Sequence, residues 1–68
     1  MLKKLQKYVE NCYNRTKRIA KTYRDIENGR AIAYGALMFC IENHLVEYDE
    51  VASYWTIMWE KFNRLNYR

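Results

Sequence analysis

His44 follows Cys40 by four positions, a spacing that puts a thiol and an imidazole on one face of a helix. Two such pairs across a dimer axis would supply the four ligands of a tetrahedral zinc site. One chain brings only two. A histidine at a helix end more simply meets the last carbonyls, so no metal is expected. A second cluster, Glu47, Asp49 and Glu50, has the residue types for general acid–base work or for holding a divalent cation. Acids placed before and within a first helical turn serve instead as caps and dipole partners. There is no glycine-rich phosphate loop and no nucleophile elbow. The chain is expected to be no enzyme and to carry no cofactor.

The third constellation is cationic. Residues 1–24 hold eight basic residues and one acid, for a net charge of +7, whereas residues 25–68 carry a net −3. Lys3, Lys4, Lys7, Lys17, Arg18, Lys21 and Arg24 occupy the side of the first segment away from its apolar seam, and Arg15 lies beside the seam. On one helix this stripe extends ~32 Å. It is a candidate face for nucleic-acid phosphates or an acidic partner. Asn11 and Asn14 lie among the basic residues and could reach phosphates or base edges. The competing reading is neutralisation by the acidic half of the chain, or a solvated face that only confers solubility. No helix-turn-helix pair or other named module accompanies the stripe. A basic amphipathic helix can also lie on a membrane surface, but an apolar face that includes Cys12 and Thr16 is modest for that purpose. The charge disfavours the helix carrying it. Lys3, Lys4 and Lys7 crowd the positive end of the dipole, and Lys3/Lys7 and Lys17/Lys21 are like-charged pairs four apart.

These groups must be positioned by helices. In the first segment Leu2, Leu5, Val9, Cys12, Thr16, Ile19, Tyr23 and Ile26 alternate at spacings of three and four, a heptad seam with one polar member, Thr16. Asn28-Gly29 is expected to end this helix, since glycine accepts the left-handed conformation of helix C-termini and asparagine can cap the next helix. The stretch from Ala31 to Ile41 has no charge. As a helix it rises about 16 Å, roughly half of a bilayer core, so it is expected to be a buried helix and no membrane span. Ala31 and Gly35, four apart, are suited to a close backbone approach, either inside the fold or between two copies. Asp49 is the expected cap of a third helix, along which Val51, Trp55, Met58, Phe62 and Leu65 form a second seam. Arg64 and Arg68 fall near its negative end.

The predicted architecture is all-α: a single domain, 1–68, folded as an up-down-up bundle of helices at about 3–27, 30–46 and 50–66. Sixty-eight residues make a marginal core, yet half of them are apolar, so homodimerisation is expected to complete the bundle. The long first helix would project, leaving Leu2, Leu5 and Val9 in need of a partner. Ile57 points away from the third seam, flanked by Tyr54, and Trp59 lies on the other flank. These six residues are the candidate protein interface. The N-terminus lacks an apolar signal region, so Cys12 and Cys40 are expected as reduced, buried thiols in a cytoplasmic protein, with a Cys12–Cys40 bridge as the alternative. Lys, Asn, Ile, Tyr and Phe account for 26 of 68 residues, a composition suited to an AT-rich bacterial or phage genome. The expected function is surface docking by a small interaction protein: an adaptor, regulator or inhibitor of a larger protein. Nucleic-acid binding by the basic face is the alternative.

Overall fold

The computed structural model describes residues 1–67. Among them are three α-helices and no strand: α1 (Leu2–Ile19), α2 (Tyr23–Glu42) and α3 (Tyr48–Asn63). The all-helical class and the number of helices are as expected, but the boundaries differ.

The first helix ends eight residues before the expected break. Its C-cap, Ala20, is extended and donates its N–H to the Thr16 carbonyl. Thr22 then opens α2 through reciprocal bonds with Asp25. The Asp25 N–H donates to Thr22 Oγ1 at 3.3 Å, and Asp25 Oδ2 accepts from the backbone N–H groups of Thr22 at 3.0 Å and Lys21 at 2.8 Å. A Thr with an acid three residues later is a helix-start signature. It satisfies orphan amides that an uninterrupted helix would have paired elsewhere. The seam therefore belongs to two helices. Leu2 to Ile19 lie on α1, and Tyr23 and Ile26 lie on α2, whose own buried line is Ile26, Gly29, Ala33, Leu37 and Cys40.

Asn28-Gly29 is accordingly no turn. Gly29 sits inside α2 because α1 crosses it: a β-carbon built there would lie 2.9 Å from both Cβ and Cγ2 of Thr16. Thr16 is buried, and its hydroxyl donates to the Cys12 carbonyl at 2.7 Å. The polar member of the seam is thus satisfied locally and packs against a residue with no side chain. Inside the fold the close approach occurs at Gly29 and not at Ala31 and Gly35, and a β-carbon at Gly35 would meet nothing within 4 Å.

At its far end α2 stops at Glu42. His44 takes a positive φ of 58°, and the Leu45 N–H returns to the Cys40 carbonyl at 2.8 Å. The helix α3 is capped at Glu47 rather than at Asp49. The Glu47 N–H donates to Glu50 Oε1 at 2.9 Å, and Asp49 falls in the first turn. Arg64 is the C-cap of α3, and Arg68 lies outside the described residues.

The core joins all three helices: Leu5 and Val9 from α1, Ala33, Leu37 and Cys40 from α2, Val51, Met58 and Phe62 from α3, with Val46 from the α2–α3 connection. Tyr13 packs edge-on to Phe62 with ring centroids 5.4 Å apart. Trp55 lies among Tyr34, Trp59 and Phe62. Cys12 and Cys40 are free thiols, not a bridge. The molecule measures 37 × 17 × 16 Å, a cross-section that admits three helices and no second layer, so each helix keeps an outer face.

Candidate interaction surfaces

Three surfaces are left by this packing. The first is the outer face of α2. The expectation of a helix buried on every side does not hold, because a three-helix bundle covers only the line from Ile26 to Cys40. Ile32, Tyr34 and Phe39 are exposed, Phe39 by 59%, and so are Ala31 and Gly35 between them. Arg24 and Glu42 lie exposed at the two ends of this face. Ile32 and Phe39 lie on one flank of this side of the helix and Tyr34 on the other, with Ala31 and Gly35 between the flanks. Exposed apolar side chains of this size on a small protein are candidate contacts.

The second surface is the groove between α2 and α3, about 570 Å³, lined by Arg24, Glu27, Asn28, Arg30, Ala31, Tyr34 and Trp59. The Arg30 guanidinium stacks 4.1 Å from the Trp59 ring centroid and donates to Asn63 Oδ1. This cation–π contact holds an exposed tryptophan against the bundle wall.

The third surface is the basic face. Lys3, Lys4, Lys7, Arg15, Lys17 and Arg18 are all exposed on α1. Because α1 ends at Ile19, Lys21 sits in the connection and Arg24 in the first turn of α2. The stripe on one helix is therefore shorter than expected, about 22 Å from Lys3 to Arg18. Among the described residues the one ion pair is Arg64–Glu60 at 3.9 Å, within α3. No described carboxylate of the acidic half lies at ion-pair distance from the stripe.

The candidate interface residues divide. Ile57, exposed by 60%, and Trp59 remain on the surface. Leu5 and Val9 are consumed by the core, and Leu2 packs partly against it. The expectation of projecting N-terminal turns in need of a partner does not hold, because the chain itself covers Leu5 and Val9, whereas Ile19 at the other end of α1 stays exposed. Tyr54 is half-buried and ties α3 to α1, its hydroxyl donating to the Gln6 carbonyl at 3.0 Å and lying 3.4 Å from Glu10 Oε2. Burial, and then the nearby Glu10 charge, push its phenol up to about 12. Asp25 is held below the usual carboxylate range, chiefly by the Lys21 and Thr22 backbone N–H groups. Sequence reasoning missed Ile32 and Phe39 as surface residues. The signal was present in the period of α2: once Ile26, Ala33, Leu37 and Cys40 define its buried line, both residues fall off it.

Among the described residues no group of three or more His, Cys, Asp or Glu side chains is gathered as a metal site. Among the same residues no helix is long and apolar enough to cross a membrane. No protein-family model, curated protein or solved structure matches the chain.

Proposed function

We propose that this chain is a small non-catalytic interaction protein, a single up-down-up helical domain that docks on a larger protein as an adaptor, regulator or inhibitor and also pairs with its own copy. The observation that carries this reading is the uncovered apolar face of α2, with Ile32, Tyr34 and Phe39 exposed on the helix whose opposite side forms the core. Exposed aromatic and branched side chains on a rigid helix give an interface its anchors at low entropic cost. The order of contacts between α2 and α3 supports the up-down arrangement. Arg30 meets Trp59 and Asn63, whereas Tyr34, further along α2, meets Trp55, earlier on α3.

The test is a photo-reactive residue in place of Phe39, activated in the source cells. Docking predicts an adduct heavier than two copies of the 8.4 kDa chain. An adduct with the chain itself alone would keep the pairing of two copies and remove the larger partner.

The alternative is nucleic-acid binding by α1, favoured by a basic face that finds no acidic partner among the described residues. It predicts that labelled DNA or RNA binds with an affinity falling by orders of magnitude between about 50 and about 200 mM salt. Reversal of Lys17 and Arg18 to Glu would then abolish binding. Absence of binding at the lower salt removes this alternative.

A further inference from the structure

The outer face of α2 carries a palindrome. Arg24 precedes Ala31 by seven residues, Ala31 precedes Gly35 by four, and Gly35 precedes Glu42 by seven. All four are exposed and share the side opposite the buried line. An isologous contact, in which one patch meets itself across a two-fold axis, requires such a self-complementary pattern. We propose that the occupant of this face is a second copy of the chain, bound through an antiparallel α2–α2 contact whose two-fold axis passes at the level of Ala33.

This arrangement sets Ala31 against the partner's Gly35, and Gly35 against the partner's Ala31. Small residues at the crossing let the two backbones approach closely, and Gly35 has open space where a side chain would stand. Ile32 then lies beside the partner's Ile32 on one flank and Tyr34 beside the partner's Tyr34 on the other, so their exposed surface leaves water. Arg24 faces the partner's Glu42 at one end, and Glu42 faces the partner's Arg24 at the other, about 27 Å away.

The charges argue for the pairing independently of the apolar surface. Within its own helix each is at the wrong end. Arg24 stands in the first turn, where the macrodipole favours anions, and Glu42 is the last residue, where it favours cations. Neither has an ion-pair partner among the described residues. The antiparallel contact gives both of them one. The inference rests on the reading of the α2 face as a docking surface and names its occupant in the free protein; a larger protein would meet the same face on the dissociated monomer. An interface built on one helix face lies at the small end of the size range for stable complexes, so dissociation falls in the micromolar range.

Sedimentation equilibrium of the full chain from about 1 µM to about 1 mM should show the mass rise from 8.4 kDa to twice that value. A monomer throughout overturns the inference while leaving α2 free for a different protein, so the docking reading is judged separately by the Phe39 adduct. Gly35→Leu should keep the helical circular dichroism and lose at least tenfold in dimer affinity. A dimer as tight as wild type overturns the crossing point.

Arg24→Glu and Glu42→Arg should each weaken their own homodimer about tenfold, since two attractive pairs become repulsive. Both changes suit the dipole of α2, so neither should cost the fold. Mixed in equal amounts, the two variants should form a heterodimer as tight as wild type, because both cross-pairs are again opposite in charge. Failure of the mixture to recover overturns the antiparallel register.

Discussion

Gly29 and Gly35 stand six residues apart on α2, the first on its buried line and the second on its exposed side. At Gly29 the helix meets α1 so closely that Thr16 occupies the place of a side chain, whereas at Gly35 nothing approaches. The same residue type thus does two jobs. On the inner face a missing side chain lets two helices of one chain lie together. On the outer face it is, within one chain, only a cost, since glycine in a helix interior is less favourable than alanine by about 0.5–1 kcal/mol. A chain with two glycines in all, one of them placed where its own fold gains nothing, points to a use outside the fold. The exposed Ile32 and Phe39 on the same helix point the same way.

The contrast between the two faces can be sharpened by mutation. Its largest expression is a pair of phenylalanines. Phe62 is fully buried and Phe39 is mostly exposed. Phe62→Ala should cost about 3–5 kcal/mol of stability. Phe39→Ala should change it by less than about 0.5 kcal/mol when urea denaturation is followed at concentrations where the chain is monomeric. Comparable losses would mean that α2 is covered on both sides by its own chain.

The boundary between α1 and α2 is next. Thr22→Ala removes the side-chain acceptor of the α2 cap and should cost about 1 kcal/mol, with amide exchange accelerating first at Tyr23 to Asp25. An unchanged exchange pattern would argue that α1 and α2 are one helix after all. Asp25 adds a pH signature. Its carboxyl is lowered in the fold, so the stability it lends is present above the ordinary carboxylate range and is lost as pH falls through the folded value.

Tyr54 gives the opposite sign. With its phenol raised to about 12, its contribution is complete below about pH 10 and disappears as pH rises from about 10 to about 12. Ultraviolet titration should find one tyrosine ionising last, and Tyr54→Phe should remove that late step. A smaller effect is expected at His44, which holds a left-handed conformation that glycine adopts without strain. His44→Gly should raise the melting midpoint, with a gain of about 0.5–1 kcal/mol.

The helical class, the number of helices and most of the core were legible in the sequence because the apolar period is strong. Val9, Val51, Met58 and Phe62 are buried as their spacing requires. The boundary between α1 and α2 was hidden for a specific reason. The three-four spacing continues through Ile19, Tyr23 and Ile26 although the chain turns between them, so periodicity alone cannot see the break. The local signature, Thr22 followed by Asp25, carried the information. Gly29 misled in the other direction: a glycine reads as a helix stop unless the helix that crosses it is known, and that crossing is a tertiary fact. The exposure of Ile57 followed from its place on the α3 wheel. The exposure of Phe39 did not, because an uncharged stretch hides which of its sides is covered until the neighbours are placed. Of the basic face, the residues and their exposure were legible, and its true length depended on where α1 ends.

The difference between the faces of α2 is measured most simply by placing alanine at each glycine and comparing urea denaturation of the monomeric chains. Gly29→Ala should lose about 2 kcal/mol, since Thr16 Cβ and Cγ2 must be displaced. Gly35→Ala should gain about 0.5–1 kcal/mol from helix propensity. Opposite signs are the expected result. Changes of the same sign would contradict a helix with one packed and one open side, because both faces would then be packed alike.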